Sequence, residues 1–196
     1  MLPMRTNPKH LAIAMNRSLP KYFTKDEIRM ILSDRLKQYE PKAYLLTLFL
    51  WRTGLRISEA LSVKVSDIDF TNKLITVNTL KRNNHVRIIP LQSDLLGELA
   101  VYITTNSITR TQLLFDITRK TGYNWIQLAC LSANYNDERC HPHTLRHSYA
   151  VNLISQGVPI TVVQDLLGHA DITKTLIYTK LLGSDVRAFM EHVSFN

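Results

Sequence analysis

Apolar positions in this chain recur mostly at helical spacing, and only one stretch alternates as a sheet does. Thr24-Lys25-Asp26-Glu27 is a capping-box sequence, in which a threonine hydroxyl and a glutamate three residues on satisfy free backbone donors at a helix start. The stripe Ile28, Ile31, Leu32 and Leu36 predicts that this helix runs to about Lys37 with one buried face. Pro41 suits a first helical position, and the run from there to Thr53 is apolar nearly all round, as in a helix at the centre of a core. Gly54 is its natural stop, and a short helix is expected over 57–63. Residues 74–80 and 86–91 alternate as strands around polar Lys81 to His85, which predicts a β-hairpin with an extended basic tip. Pro90 puts the end of the second strand at a sheet edge. Helices are expected over 94–104, 124–133, 143–156, 159–167 and 184–193, with a short strand at 113–115 and a loop over 134–142. Asp171 is a candidate cap for one further helix that carries Tyr178. The predicted fold class is therefore mainly α with a small antiparallel β-sheet (α+β).

No repeat or low-complexity tract breaks this pattern. We expect an N-terminal arm or linker over 1–22, one domain over 23–180 and a C-terminal segment over 181–196. Composition then narrows the function. Of 196 residues 45% are apolar and 20% charged, ordinary for a globular protein, but 24 basic residues against 16 acidic ones leave a net charge of +8. That balance favours a polyanionic partner, nucleic acid first among them, over a surface charged merely for solubility. Cys130 and Cys140 are too few for a disulfide framework, which points to a reducing compartment. The first residues hold no apolar run resembling a signal peptide, and the most apolar stretch, Tyr44 to Trp51, is too short to span a bilayer. A soluble, cytoplasmic protein without a membrane partner is expected.

Three separated segments carry the candidate chemistry. In Thr53-Gly54-Leu55-Arg56-Ile57-Ser58-Glu59, Arg56 follows a helix stop and offers a rigid fork for two phosphate oxygens. Glu59 is placed to steady it, and the bland alternative is a surface arginine or a helix-turn-helix. In His143-Thr144-Leu145-Arg146-His147, His143 and Arg146 share a helix face near a start whose free amides favour an anion. His147 lies elsewhere on that turn, and its expected part is packing or support. In Leu167-Gly168-His169, a protonated His169 can donate to phosphate, while a neutral one would simply cap the helix. Tyr178 follows closely. A phenol titrates near ~10 when unperturbed, so it needs cationic neighbours to ionise at neutral pH. A core ring with its hydroxyl at the rim is the ordinary alternative. The hairpin adds Lys81, Arg82, His85 and Arg87, a basic ribbon able to enter a DNA groove. A lysine at its tip can protonate a departing oxygen, whereas Arg82 does not release its proton readily. Cys140, His141, His143 and His147 form a rival cluster with zinc-like spacing, but it lacks the glutamate of a zinc-protease helix and any Cys-x-x-Cys partner.

Taken in order, these segments resemble the catalytic domain of the tyrosine recombinases, the phage integrase family. The resemblance runs from about Phe23 to Thr179 and rests on Thr53 to Glu59, the hairpin ending Ile89-Pro90-Leu91, His143 to His147, and Leu166-Leu-Gly-His169 with Tyr178. It implies a site-specific DNA recombinase that works through a 3′-phosphotyrosyl link. Tyr178 would be the nucleophile, Arg56 and Arg146 the stabilisers of the pentavalent transition state, and His143 an aid to proton transfer at the tyrosine. His169 would bond the phosphate and Lys81 would protonate the leaving oxygen. The expected partners are double-stranded DNA at a specific site, a homotetramer on two such sites, and accessory DNA-bending proteins, in a nucleoid-associated cytoplasmic setting. No metal or nucleotide is implied. A type IB topoisomerase-like nicking and sealing enzyme and a catalytically silent DNA-binding regulator are the alternatives. Two departures stand out. The stretch before Thr24 is too short for the family's N-terminal DNA-clamping domain, as in a fragment or in the short fimbrial-switch invertases. The interval from Lys81 to Pro90 is also one residue longer than usual, so Arg82 takes the customary lysine position unless the hairpin bulges.

Overall fold

The computed structural model describes residues 20–78, 86–169 and 172–179. The capping box at Thr24 forms as expected: Glu27 N donates to Thr24 Oγ1 and Thr24 N donates to Glu27 Oε2. The helix it opens, α1 (Lys25–Ile31), is shorter than the apolar stripe implies. Ser33 caps a new helix, α2 (Asp34–Tyr39), by accepting from Leu36 N, and the chain turns at Leu32. Both pieces still bury the stripe, because Ile28, Ile31 and Leu36 all lie in the core.

The centre of the molecule is α3 (Pro41–Thr53), with Pro41 at its first turn and nearly every side chain from Leu45 to Trp51 buried. Two buried hydroxyls on it are satisfied locally, Thr47 by the Ala43 carbonyl at 2.7 Å and Thr53 by the Phe49 carbonyl at 2.6 Å. It ends at Gly54 in the left-handed conformation (φ 64°), and α4 (Ile57–Ala60) leaves at once. After a 3₁₀ turn at Val65–Asp67 comes a three-stranded antiparallel sheet ordered β1 (Ile68–Asp69), β2 (Leu74–Asn78), β3 (Val86–Pro90). The register pairs Ile75 with Ile89 and Val77 with Arg87. Ile75, Val77 and Ile89 face the core. The expected strand at 113–115 reduces to one bridge between Lys64 and Leu113.

Three long helices pack around the hub, α5 (Ser93–Thr105), α6 (Arg119–Ser132) and α7 (Pro142–Ser155), and the shorter α8 (Ile160–Leu167) and α9 (Thr173–Thr179) follow. Helix α3 packs on α2, α5, α6 and α7, while α8 rests on β3, and α9 rests on α7 and α8. The start of α6 at Arg119, five residues before the predicted one, follows from Thr118, whose hydroxyl accepts from Thr121 N. Gly122 inside it is buried against Ile57 and Leu46, where a Cβ would stand 3.0 Å from Ile57. Arg139 fixes the loop before α7. Its guanidinium bonds Glu27 and Asp137 and lies 4.7 Å from the centroid of the Phe23 ring, with Tyr135 on another side. Among the described residues no helix is long and apolar enough to cross a membrane.

Candidate active site

Arg146 projects from the first turns of α7 into the centre of the molecule, where it is 3% exposed. It is held by two helix ends. Nη1 donates to the Gly54 carbonyl at 2.7 Å and Nη2 to the Leu167 carbonyl at 2.5 Å. Burial, then Arg56, and then Arg87 beside it push its pKa down to about 9 against the pull of Glu59, which still leaves it charged at neutral pH.

Glu59 is the counter-charge of the whole cluster. It is 3% exposed, bonds Arg56 Nη1 at 2.8 Å and Arg87 Nη2 at 2.7 Å, and stands 3.9 Å from Arg146. Burial works to raise its carboxyl. The Arg87 hydrogen bond and charge and the Arg56 amide and guanidinium outweigh that and hold it at about 2. The sequence reading gave Glu59 one partner, and the structure gives it three.

Arg87 needs a correction. It was assigned to the basic ribbon as a DNA contact, yet its side chain is only 10% exposed and points inward. Besides Glu59, it bonds the Leu166 carbonyl through Nε at 3.1 Å, which ties β3 to the end of α8. Gly168, left-handed at φ 62°, makes room for it, since a Cβ there would stand 2.8 Å from Arg87 Nη1. Lys81, Arg82 and His85, the other candidates on the hairpin, lie outside the described residues, as do Asp171 and the segment 181–196.

Tyr178 comes off α9 and is 2% exposed. Its hydroxyl meets His147 Nδ1 at 2.7 Å. Burial raises the phenol pKa, and the charges of Arg146 and Arg56 only partly offset that. Burial, then His143 and Arg146, push His147 down to about 4, so it is neutral at physiological pH. His143 is exposed on α7, its ring stacked on that of His147 with centroids 6.4 Å apart, and burial and Arg146 push its pKa down. It makes no described hydrogen bond to Tyr178; the contact belongs to His147, a residue the sequence reading set aside for packing. His169 is half-buried after the left-handed Gly168, and its Nδ1 meets Thr175 Oγ1 at 3.0 Å. Burial, then Arg146 and Arg56, lower it to about 3.

Gly54 joins two of these parts. A Cβ on it would stand 2.3 Å from Tyr149 Cδ1, and its φ is one that L-residues avoid at a cost of ~1–2 kcal/mol. With ~1–3 kcal/mol for overpacking, Gly54→Ala is expected to lower stability by about 2–5 kcal/mol in urea melts. An unchanged unfolding midpoint would mean that the Tyr149 ring moves aside freely.

Fold and site thus define a mainly helical α+β domain built around a buried arginine cluster that faces histidines and a tyrosine. Residues 21–184 match the family model described as "Phage integrase family", and the chain belongs to that family. It is 34% identical over 180 residues to a tyrosine recombinase XerA of Thermococcus onnurineus, covering 89% of this chain and 63% of that protein. It is also 32% identical over 215 residues to a tyrosine recombinase XerD of Rickettsia bellii, covering 95% and 70%. The chain therefore spans a little under two thirds of the XerA relative it matches. Among solved structures, the crystal structure of XerA recombinase superposes with a TM-score of 0.77 at 25% identity over 92% of this chain and 68% of that one. The catalytic domain of bacteriophage HP1 integrase shares the fold at a TM-score of 0.66 and 22% identity, over 88% of this chain and 94% of that one.

Proposed function

We propose that this chain is the catalytic part of a site-specific DNA recombinase that cleaves and rejoins double-stranded DNA through a 3′-phosphotyrosyl intermediate. The observation that carries the reading is the fixed arginine pair beside a buried tyrosine. The charges of Arg56 and Arg146 both act on Tyr178 and on His169, although the four come from four different elements or turns. Relatives named tyrosine recombinases support it.

In this reading Tyr178 Oη attacks the scissile phosphorus and the bond to the 5′ oxygen breaks. Negative charge builds on the non-bridging oxygens as the pentavalent state forms. Arg56, the more exposed of the pair, and the prepositioned Arg146 stabilise that charge, an electrostatic gain that needs no reorganisation when it is called for. His169 donates to the phosphate once the added anion raises its affinity for a proton. His143 assists proton transfer at the site, and Lys81 of the hairpin protonates the leaving oxygen. The covalent link conserves the bond energy until another hydroxyl attacks, so no nucleotide is required. Because Tyr178 is covered in the DNA-free protein, α9 must shift to present the phenol to DNA. A homotetramer on two DNA sites, with the C-terminal segment 181–196 docking on a neighbouring protomer, completes the proposal, in a cytoplasmic setting.

A covalent trap tests this. Nicked duplexes, from which the strand released on cleavage diffuses away, should give an adduct that survives SDS, forms in EDTA and maps to Tyr178 by peptide mass spectrometry. An adduct on any other residue would refute the assignment. Binding should also weaken steeply with salt. For six to ten phosphate contacts, affinity falls ~10³–10⁵-fold between 50 and 200 mM salt. A flat response in gel-shift titrations would contradict a phosphate-gripping face.

A further inference from the structure

The geometry points to Arg87 as a positioning residue of the reaction, one that keeps Arg56 and Arg146 aimed and free for the scissile phosphate. This rests on the recombinase reading above and gives β3 a part in transition-state binding through side chains other than its own.

Arg87 touches what anchors each of the other two arginines. Its Nη2 donates to Glu59 Oε2 at 2.7 Å and its Nη1 to Glu59 Oε1 at 3.3 Å, so one planar fork holds both carboxylate oxygens. Glu59 in turn orients Arg56, accepting from its Nη1 at 2.8 Å and from its amide at 2.9 Å. Through Nε, Arg87 also donates to the Leu166 carbonyl at 3.1 Å, one residue before the Leu167 carbonyl that anchors Arg146. A single side chain thus fixes α4, which carries Glu59, against the end of α8. A lysine could not do this, because its ammonium is one point on a flexible stem, whereas a guanidinium spreads its donors over three nitrogens in a plane. None of these bonds involves α9, so the brace outlasts the shift of that helix. Charge makes the same case. Burial raises the Glu59 carboxyl, and the strongest pull against it comes from Arg87, ahead of Arg56. Glu59 also stands 3.9 Å from Arg146. An anion so placed would compete with phosphate for both Arg56 and Arg146. Arg87 offsets it from the inner side, and the cluster keeps two positive charges in excess for an incoming phosphate.

The test uses the whole chain and duplexes that the wild-type protein captures covalently from a random-sequence nicked library, with the scissile linkage read from the adduct. Duplex affinity and single-turnover cleavage are measured for the wild type, Arg87→Met and Arg87→Lys, at a temperature where circular dichroism shows each variant folded. Arg87→Met should bind within about threefold of wild type and cleave ~10²-fold slower, as when transition-state donors are misplaced by about 1 Å. Arg87→Lys returns the charge without the fork and should recover only part of that loss. The discriminating substrate carries a methylphosphonate at the scissile linkage. It lacks the negative charge that the arginines answer, and a neutral phosphorus centre is open to a nucleophile without them. On it the Arg87→Met defect should shrink to about 10-fold or less. Equal defects on the two linkages would reduce Arg87 to a strut of the fold and overturn the proposal. So would wild-type cleavage by Arg87→Met, or a loss confined to affinity, and each of these leaves the recombinase reading intact. Should Arg87→Met not fold, Arg87→Lys carries the same comparison of linkages. A wild-type protein that captures no duplex would overturn both readings.

Discussion

Tyr178→Phe is expected to abolish covalent capture of DNA while leaving affinity for the duplex within about twofold. The ring keeps its volume in the pocket between α7 and α9, so the packing survives. What disappears is one hydroxyl. Its partner His147 Nδ1 is left unpaired, a loss of about 1–3 kcal/mol that a domain of ordinary stability tolerates. Phosphate grip depends on guanidiniums that the substitution does not touch, so gel-shift affinity should hold. The covalent product needs an oxygen on this residue, and no neighbouring group can supply one at the same place. An SDS-resistant adduct formed by the Phe variant would locate the nucleophile elsewhere and dismantle the proposed chemistry.

The second large effect falls on stability. Glu59→Ala removes the shared anion of Arg56, Arg87 and Arg146, two of which are nearly inaccessible to water. Breaking a buried pair by deleting one partner typically costs ~3–5 kcal/mol, a large part of what holds an ordinary domain folded. Glu59→Gln keeps the shape and an acceptor and should cost less. It also isolates the charge. In the unfolded chain this carboxyl titrates at its ordinary value of 4.5, and in the folded protein at about 2. A depressed carboxyl stabilises fully above the higher value, and that stability is lost as pH falls through the lower one. The wild type should therefore lose about 3 kcal/mol from this group between roughly pH 5 and pH 2. Urea melts of Glu59→Gln should lack that part of the acid limb. Identical acid limbs in the two proteins would mean that the cluster is not held by the Glu59 charge.

The helical frame was largely readable because it is written in local signals. Thr24 and Glu27 announce α1, Pro41 and Gly54 bracket α3, and Gly157 and Gly168 close α7 and α8. Where the reading failed, a local signal lost to a stronger pattern. Ser33-Asp34 is an N-cap sequence, but the apolar stripe on either side of it read as one continuous helix. The cap at Thr118 was missed, and the turn it adds holds Gly122, whose missing side chain lets Ile57 approach. Strand β1, two residues long, leaves too little periodicity to detect.

The candidate site divides in the same way. Arg56, His143, Arg146, His169 and Tyr178 were picked out by residue type and spacing. Their partners were not, because partners are set by packing. Arg87 is the instructive case. Its parity with Ile89 along β3 places both on the inner face, so strand alternation already pointed inward, and the basic character of the hairpin overrode it. The bond between His147 and Tyr178 had no such clue, since it depends on where α9 crosses α7.

Arg146 is anchored to a carbonyl 92 residues before it and to another 21 residues after it. During synthesis the buried guanidinium therefore has its second anchor only once Leu167 has been added, and Tyr178 joins the cluster eleven residues later still.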